Sequence, residues 1–119
     1  MLHHVGIEVA PVEVERTARL FELLGFERVQ PPPSLAGFTW LERGGTQVHL
    51  MPEEEPVAPP RGHLAVVVPG LDAALSALEA EGFEVAPARP HWGAARARVL
   101  APGGHRVELM AAPPASGRG

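Results

Sequence analysis

Two kinds of apolar periodicity take turns along this chain. Val5, Ile7 and Val9 alternate with His4, Gly6 and Glu8, the period of a half-buried strand. After Pro11, the stretch VEVERTARLFELL repeats its apolar residues at helical spacing through Val14, Ala18, Phe21 and Leu24. Glu13 and Glu15 fall in its first turn, where negative charge suits the helix dipole, and Gly25 is placed to end it. Strand-like runs follow at Phe26 to Val29, Phe38 to Glu42 and Thr46 to Met51, the last two separated by a Gly44-Gly45 hairpin turn.

The same order then recurs. LERGGTQVHLM (Leu41 to Met51) aligns without a gap on LAPGGHRVELM (Leu100 to Met110), an offset of 59 residues. That offset also places HVGIEV at His4 on HLAVVV at His63, and Leu24-Gly25-Phe26-Glu27 lies opposite Glu81-Gly82-Phe83-Glu84 at an offset of 57. In the second copy Asp72 is expected to cap the helix LDAALSALEAE, with Leu71, Leu75 and Leu78 on one face and Gly82 as its stop. Strands are expected at Phe83 to Ala86, Ala95 to Leu100 and His105 to Met110, with Gly103-Gly104 at the final turn.

Each copy therefore reads as βαβββ. The expected fold is α+β, with modules over residues 1–51 and 63–111, a Pro-rich acidic linker over 52–62 and a loose tail over 112–119. One such module buries too little on its own, so two are expected to pair their sheets into a curved, partly closed mixed sheet with the helices outside, one domain overall. Strand alternation puts Val5, Ile7, Val9, Val48, Leu50, Leu64, Val66, Val68, Val107 and Leu109 under the helices. The opposite, concave face receives His4, Gly6, Glu8, Gln47, His49, Met51, His63, Ala65, Val67, Arg106, Glu108 and Met110.

Composition narrows the chemistry. Of 119 residues, 45% are apolar and 20% charged, a globular balance, and the net charge of −4 offers no footprint for a phosphate backbone, so nucleic acid is not an expected partner. No apolar run reaches the roughly 20 residues of a membrane span, and the start lacks the features of a signal peptide, so a cytoplasmic protein is expected. There is no cysteine and there are six His, so a transition-metal site must use imidazole and carboxylate.

The repeat pairs His4 with His63 on the first strand of each module, and His49 with Glu108 on the last. All four share the concave parity. Imidazole and carboxylate donors of this kind suit Fe, Mn, Ni, Co or Zn as divalent ions, with positions left open for a substrate. The alternative is a set of strand histidines satisfied locally and an exposed strand carboxylate.

The segments LHHVGIEV, LFELLGFE, GHLAVVV and LAPGGHRVELM together resemble the vicinal-oxygen-chelate superfamily, the glyoxalase, bleomycin-resistance protein and extradiol dioxygenase group, over Leu2 to Met110. The resemblance implies a glyoxalase-like fold and metal ligands at His4, His49, His63 and Glu108. It also implies catalytic roles for Glu108 and for position 49, where a Glu or Gln is common in glyoxalase-like and epimerase-like members. His49 and the Ala101-Pro102-Gly103-Gly104 turn depart from the family pattern. By the same resemblance Arg96 and Arg98 point into the cavity and touch an anionic substrate, the other reading being a solvated strand face.

Glu8 shares the parity of His4 and is a candidate substrate contact or a rim ion-pair partner. His91 and Trp92 suit a wall or lid, with Trp92 facing the substrate, while Phe38 and Trp40 suit apolar lining. His3 is expected to be structural and His105 to be exposed at its turn. No phosphate-loop, dinucleotide or nucleophile-elbow motif is present. Two functions follow as expectations. One is a divalent-metal-dependent isomerase, lyase or dioxygenase acting on a small anionic oxygenated substrate as a homodimer. The other is a metal-free protein that binds and sequesters a small molecule, like the bleomycin-resistance branch.

Overall fold

A computed structural model describes residues 1–115. The architecture is α+β and consists of two four-stranded mixed sheets, each with one helix. Residues 1–60 with 101–105 form one compact unit, and residues 61–100 with those from 106 onward form the other. Of the tail expected over 112–119, residues 116–119 lie outside the described residues.

The first unit runs β1 (His4–Val9), α1 (Val14–Leu23), β2 (Glu27–Val29), β3 (Thr39–Arg43) and β4 (Thr46–Pro52), with sheet order β1-β4-β3-β2. The second runs β5 (Leu64–Val67), α2 (Leu71–Ala80), β6 (Glu84–Ala88), β7 (Arg96–Leu100) and β8 (Arg106–Met110), in the equivalent order β5-β8-β7-β6. In both, the first strand pairs in parallel with the last, and the others pair antiparallel.

Register and alternation explain the core. Ile7, Val9, Leu41, Val48 and Leu50 are buried in the first unit together with Ala18, Leu20 and Phe21 of α1. Val66, Val99, Val107, Leu109, Leu71 and Leu78 are their counterparts in the second.

Both helices end alike. Gly25, at φ +93°, lets Phe26 N–H donate to Phe21 O and Gly25 N–H to Glu22 O. Gly82, at φ +84°, does the same for Phe83 with Leu78 and for itself with Glu79. This is the Schellman stop, with its apolar contact made by the edge-to-face Phe21–Phe26 pair in the first unit. The LGFE and EGFE segments match because they build the same helix terminus.

Three local expectations need correction. Asp72 does not cap α2. The helix starts at Leu71, two residues earlier than an Asp72 cap requires, after Gly70 and without a side-chain cap, which leaves Asp72 exposed in the first turn, where its charge still suits the dipole. The two glycine turns also differ. Gly44-Gly45 is a two-residue loop between Arg43 and Thr46, whereas residues 101–105 form a five-residue loop closed by Ala101 N–H to His105 O at 2.8 Å.

His105 is consequently outside β8, and it is buried, not exposed. Its Nε2 donates to Glu8 O at 2.8 Å. The carbonyls of His3 and Val9 face the β4 side, so alternation turns the Glu8 carbonyl to the outer edge of β1, where the His105 ring satisfies it.

Candidate functional site

The second unit assembles a polar group on one sheet face. Ala65 on β5 lies opposite Glu108 on β8, and Glu108 lies opposite Arg98 on β7. His63, just ahead of β5, places Nε2 3.1 Å from Glu108 Oε2, and its Nδ1 is 2.9 Å from the Arg61 carbonyl oxygen. The other carboxylate oxygen, Oε1, accepts from Arg96 Nε at 2.7 Å and also from Arg96 Nη2.

Arg96 is itself anchored. Its Nη1 donates to Arg89 O and its guanidinium lies 5.3 Å from the centre of the Trp92 ring, whose Nε1 donates to Ala112 O at 2.8 Å. Burial pushes the Glu108 carboxyl up, but the hydrogen bond and charge of Arg96, joined by His63, outweigh it and hold the group below its ordinary value. Glu108 is therefore an ionised, nearly buried carboxylate at neutral pH.

The chemistry of His63 is constrained by its two neighbours. A backbone carbonyl and an ionised carboxylate only accept, so the ring must either carry two protons or share a cation with Glu108 through Nε2. In the second case Nδ1–H donates to Arg61 O, the backbone hydrogen bond that usually orients a metal-bound imidazole. Two donor atoms bound at about 2.1 Å stand about 3.0 Å apart at a right angle and about 3.4 Å apart in a tetrahedron. The observed 3.1 Å lies in that range and is equally the distance of a hydrogen-bonded His–Glu ion pair. Beside it lies a cavity of about 230 Å³ lined by Arg61, His63, Arg98, Arg106 and Glu108.

The first unit arranges its residues differently. His49 on β4 lies opposite Gly6 on β1 and Trp40 on β3. The buried His49 ring is sandwiched between His4 (ring centres 4.0 Å, 12° between planes) and Trp40 (3.9 Å, 2°). Glu42 fixes the Gln47 amide by accepting from its Nε2 at 2.8 Å. Gln47 Oε1 therefore faces His49 Nε2 at 2.7 Å, and that nitrogen must donate.

Burial first, then the nearby imidazoles of His4 and His3, lower the His49 pKa, so the ring is neutral with its lone pair on Nδ1. Parallel stacked rings aim their lone pairs along parallel planes, so the His4–His49 pair fits a shared ion poorly in this arrangement. His4 also shares a hydrogen bond with His3, Nδ1 to Nδ1 at 3.0 Å. Trp40 Nε1 is buried, with no hydrogen-bond partner among the described residues.

The structure thus brings His63 together with Glu108 and His4 together with His49, each pair within its own unit. Among the described residues, no group of three or more His, Asp or Glu side chains is gathered to hold a metal ion. Arg96 and Arg98 share a face, as expected from their spacing, but their tasks divide: Arg96 is committed to Glu108, and Arg98 lines the cavity. The Glu8 carboxylate accepts from Val57 N at 2.9 Å, tying the linker to β1. His91 is exposed, and Trp92 packs on Arg96.

Sequence reasoning missed Arg61 as a wall of the cavity because it lies in the linker. The available signal was its place as the linker's sole basic residue, two positions before His63. It also missed the Gln47–Glu42 pair that sets the His49 tautomer. No helix among the described residues is long and apolar enough to cross a membrane.

Comparison with solved structures gives the same fold repeatedly. A glyoxalase family protein from Bacillus anthracis superposes with a TM-score of 0.80 at 26% identity, covering 92% of this chain and 93% of that one. The fosfomycin resistance protein FosX from Listeria monocytogenes superposes at 0.75 with 20% identity over 95% and 91%. A glyoxalase/dioxygenase from Nostoc punctiforme gives 0.74 at 20% identity, again over 95% and 91%. None of the curated proteins matches the sequence. The family model for the Glyoxalase/Bleomycin resistance protein/Dioxygenase superfamily matches residues 2–109, and the chain belongs to that superfamily.

Proposed function

We propose that this protein is a divalent-metal-dependent enzyme that acts on a small, anionic, oxygenated substrate by isomerase, lyase or dioxygenase chemistry. His63 and Glu108 of the second unit and His4 and His49 of the first are the proposed ligands. The reading includes a cytoplasmic homodimer. The observation that carries it is the His63–Glu108 pair, in which an imidazole nitrogen and a carboxylate oxygen lie 3.1 Å apart while the far ring nitrogen meets a backbone carbonyl. A divalent ion bound there would supply Lewis-acid stabilisation of charge developing on substrate oxygens.

The chain's own groups do the rest. Arg96 keeps Glu108 ionised and oriented. His49 is neutral with one free lone pair, on Nδ1, which serves either as a ligand atom or as a proton acceptor, and Gln47 holds that tautomer. Arg98, in the cavity wall, attracts the anionic part of the substrate.

A second reading, metal-free binding of a small molecule, is favoured by the His4–His49–Trp40 stack, which spends two of the proposed ligands on ring contacts. Cobalt(II) titration followed by visible absorption separates the two. Under the enzyme reading the wild type develops ligand-field bands that His63→Ala and Glu108→Ala lose, and oxygen uptake with catechols after Fe(II) loading, beside isomerisation assays, identifies the reaction. Absence of those bands in the wild type, with small-molecule binding retained in both variants, would establish the metal-free reading instead.

A further inference from the structure

An arginine commonly meets a carboxylate as a fork, with one N–H on each oxygen. Arg96 does not meet Glu108 that way. Its Nε and Nη2 both donate to Oε1, which leaves Oε2 to His63 Nε2 at 3.1 Å. The guanidinium is thus displaced to one side of the carboxylate, and something has to hold it there.

Two groups of the connection between β6 and β7 do so. Arg89 O accepts from Nη1, the one Arg96 nitrogen that makes no bond to Glu108. Trp92, three residues further on, sets its ring centre 5.3 Å from the guanidinium carbon. That ring is fixed in turn, because its Nε1 donates at 2.8 Å to Ala112 O, just beyond the end of β8. The connection is therefore tied to β7 through Arg96 and to the segment after β8 through Trp92.

We propose that Trp92 is a positioning residue for Glu108 and acts through Arg96. Pinned to Ala112 O, its ring keeps the guanidinium on Oε1 and reserves Oε2 for His63 and for an ion shared with it. Without the ring, Arg96 slides into the two-oxygen fork and competes for Oε2. The inference rests on the proposed function only in taking Oε2 as a ligand atom; the placement of Arg96 stands with or without a metal.

Crystal structures of chelator-treated wild type and Trp92→Leu test the placement. The substitution keeps apolar bulk and removes both the π face and the N–H; Trp92→Met takes its place if circular dichroism shows that Trp92→Leu does not fold. Arg96 is expected on Oε1 alone in the wild type and on both oxygens in the variant. Cobalt(II) titration of the wild type, Trp92→Leu, Arg96→Met and the double variant tests the consequence. Trp92→Leu should bind cobalt about 10- to 100-fold more weakly than wild type. In the Arg96→Met background the same substitution should change the affinity by no more than about threefold, because its effect runs through Arg96.

Arg96 on both oxygens in the wild type, an unmoved Arg96 in the Trp92 variant, or an equal loss of cobalt affinity with and without Arg96 would overturn the proposal. Failure of the wild type to take up cobalt removes the metal-dependent reading alone, since the two crystal structures still decide the role of Trp92. Cobalt uptake by the wild type with an unmoved Arg96 in the variant removes this one alone.

Discussion

Replacing Arg96 with Met should expose how strongly the second unit depends on the Arg96–Glu108 pair. The two side chains are 13% and 14% exposed, so the pair lies close to the buried limit and not among weak surface ion pairs. Removing one member of a buried pair costs about 3–5 kcal/mol, chiefly because the remaining charge is left uncompensated. Glu108 would keep His63 on its other oxygen, which lowers the expected cost to about 2–3 kcal/mol, or roughly 10 °C in Tm for a chain of this size.

Urea denaturation at pH 7, with thermal melts alongside, reads this directly. The double variant Arg96→Met with Glu108→Met should recover to within about 1 kcal/mol of wild type, since two apolar groups replace two charges that had to be desolvated.

The pH dependence has a definite sign. Glu108 is held below its ordinary value of 4.5 in the folded chain, so its contribution is present above that value and lost as pH falls through the folded one. The Arg96→Met deficit should therefore shrink as the pH is lowered past 4.5. A single variant within about 0.5 kcal/mol of wild type, or a double variant no more stable than the single, would refute the reasoning.

Other perturbations probe the remaining parts of the structure. Leu78→Ala, at a position with no exposed surface, should cost about 2–4 kcal/mol in the same denaturation assay, and a loss below about 1 kcal/mol would mean that α2 is not packed as described. Gly82→Ala forces a side chain onto φ +84° and should cost about 1 kcal/mol; an unchanged midpoint would argue against the Schellman stop. In chelator-treated protein, NMR titration of His49 should give a midpoint below its ordinary 6.5, and a midpoint at or above that value would contradict its buried, stacked environment. Gln47→Ala leaves the His49 Nε2–H without its acceptor and should cost about 1–2 kcal/mol, with a no-cost outcome showing that the amide does not set the tautomer.

Much of this fold is legible in the sequence because its main devices are local or repeated. Alternation along β1 identifies which side chains are buried, and the matching LGFE and EGFE segments build matching helix ends. The 59-residue offset corresponds to two sheets of identical strand order. Pairing of the first strand with the last, which brings His63 to Glu108, follows from that topology.

What escaped the sequence depends on partners distant along the chain. Periodicity marks His105 as a turn residue but cannot supply the Glu8 carbonyl that draws the ring inward. Spacing puts Arg96 and Arg98 on one face, yet only side-chain geometry assigns one to Glu108 and the other to the cavity. For His49, parity identifies the face, whereas the sandwich between His4 and Trp40 depends on cross-strand register.

Elemental analysis of protein purified without chelator, followed by reconstitution with Fe(II), Mn(II), Co(II), Ni(II) and Zn(II), tests metal dependence most directly. The expected result is a divalent ion stoichiometric with the chain in the wild type and lost from both His63→Ala and Glu108→Ala. Only trace metal in the wild type, with none taken up on reconstitution, would contradict it.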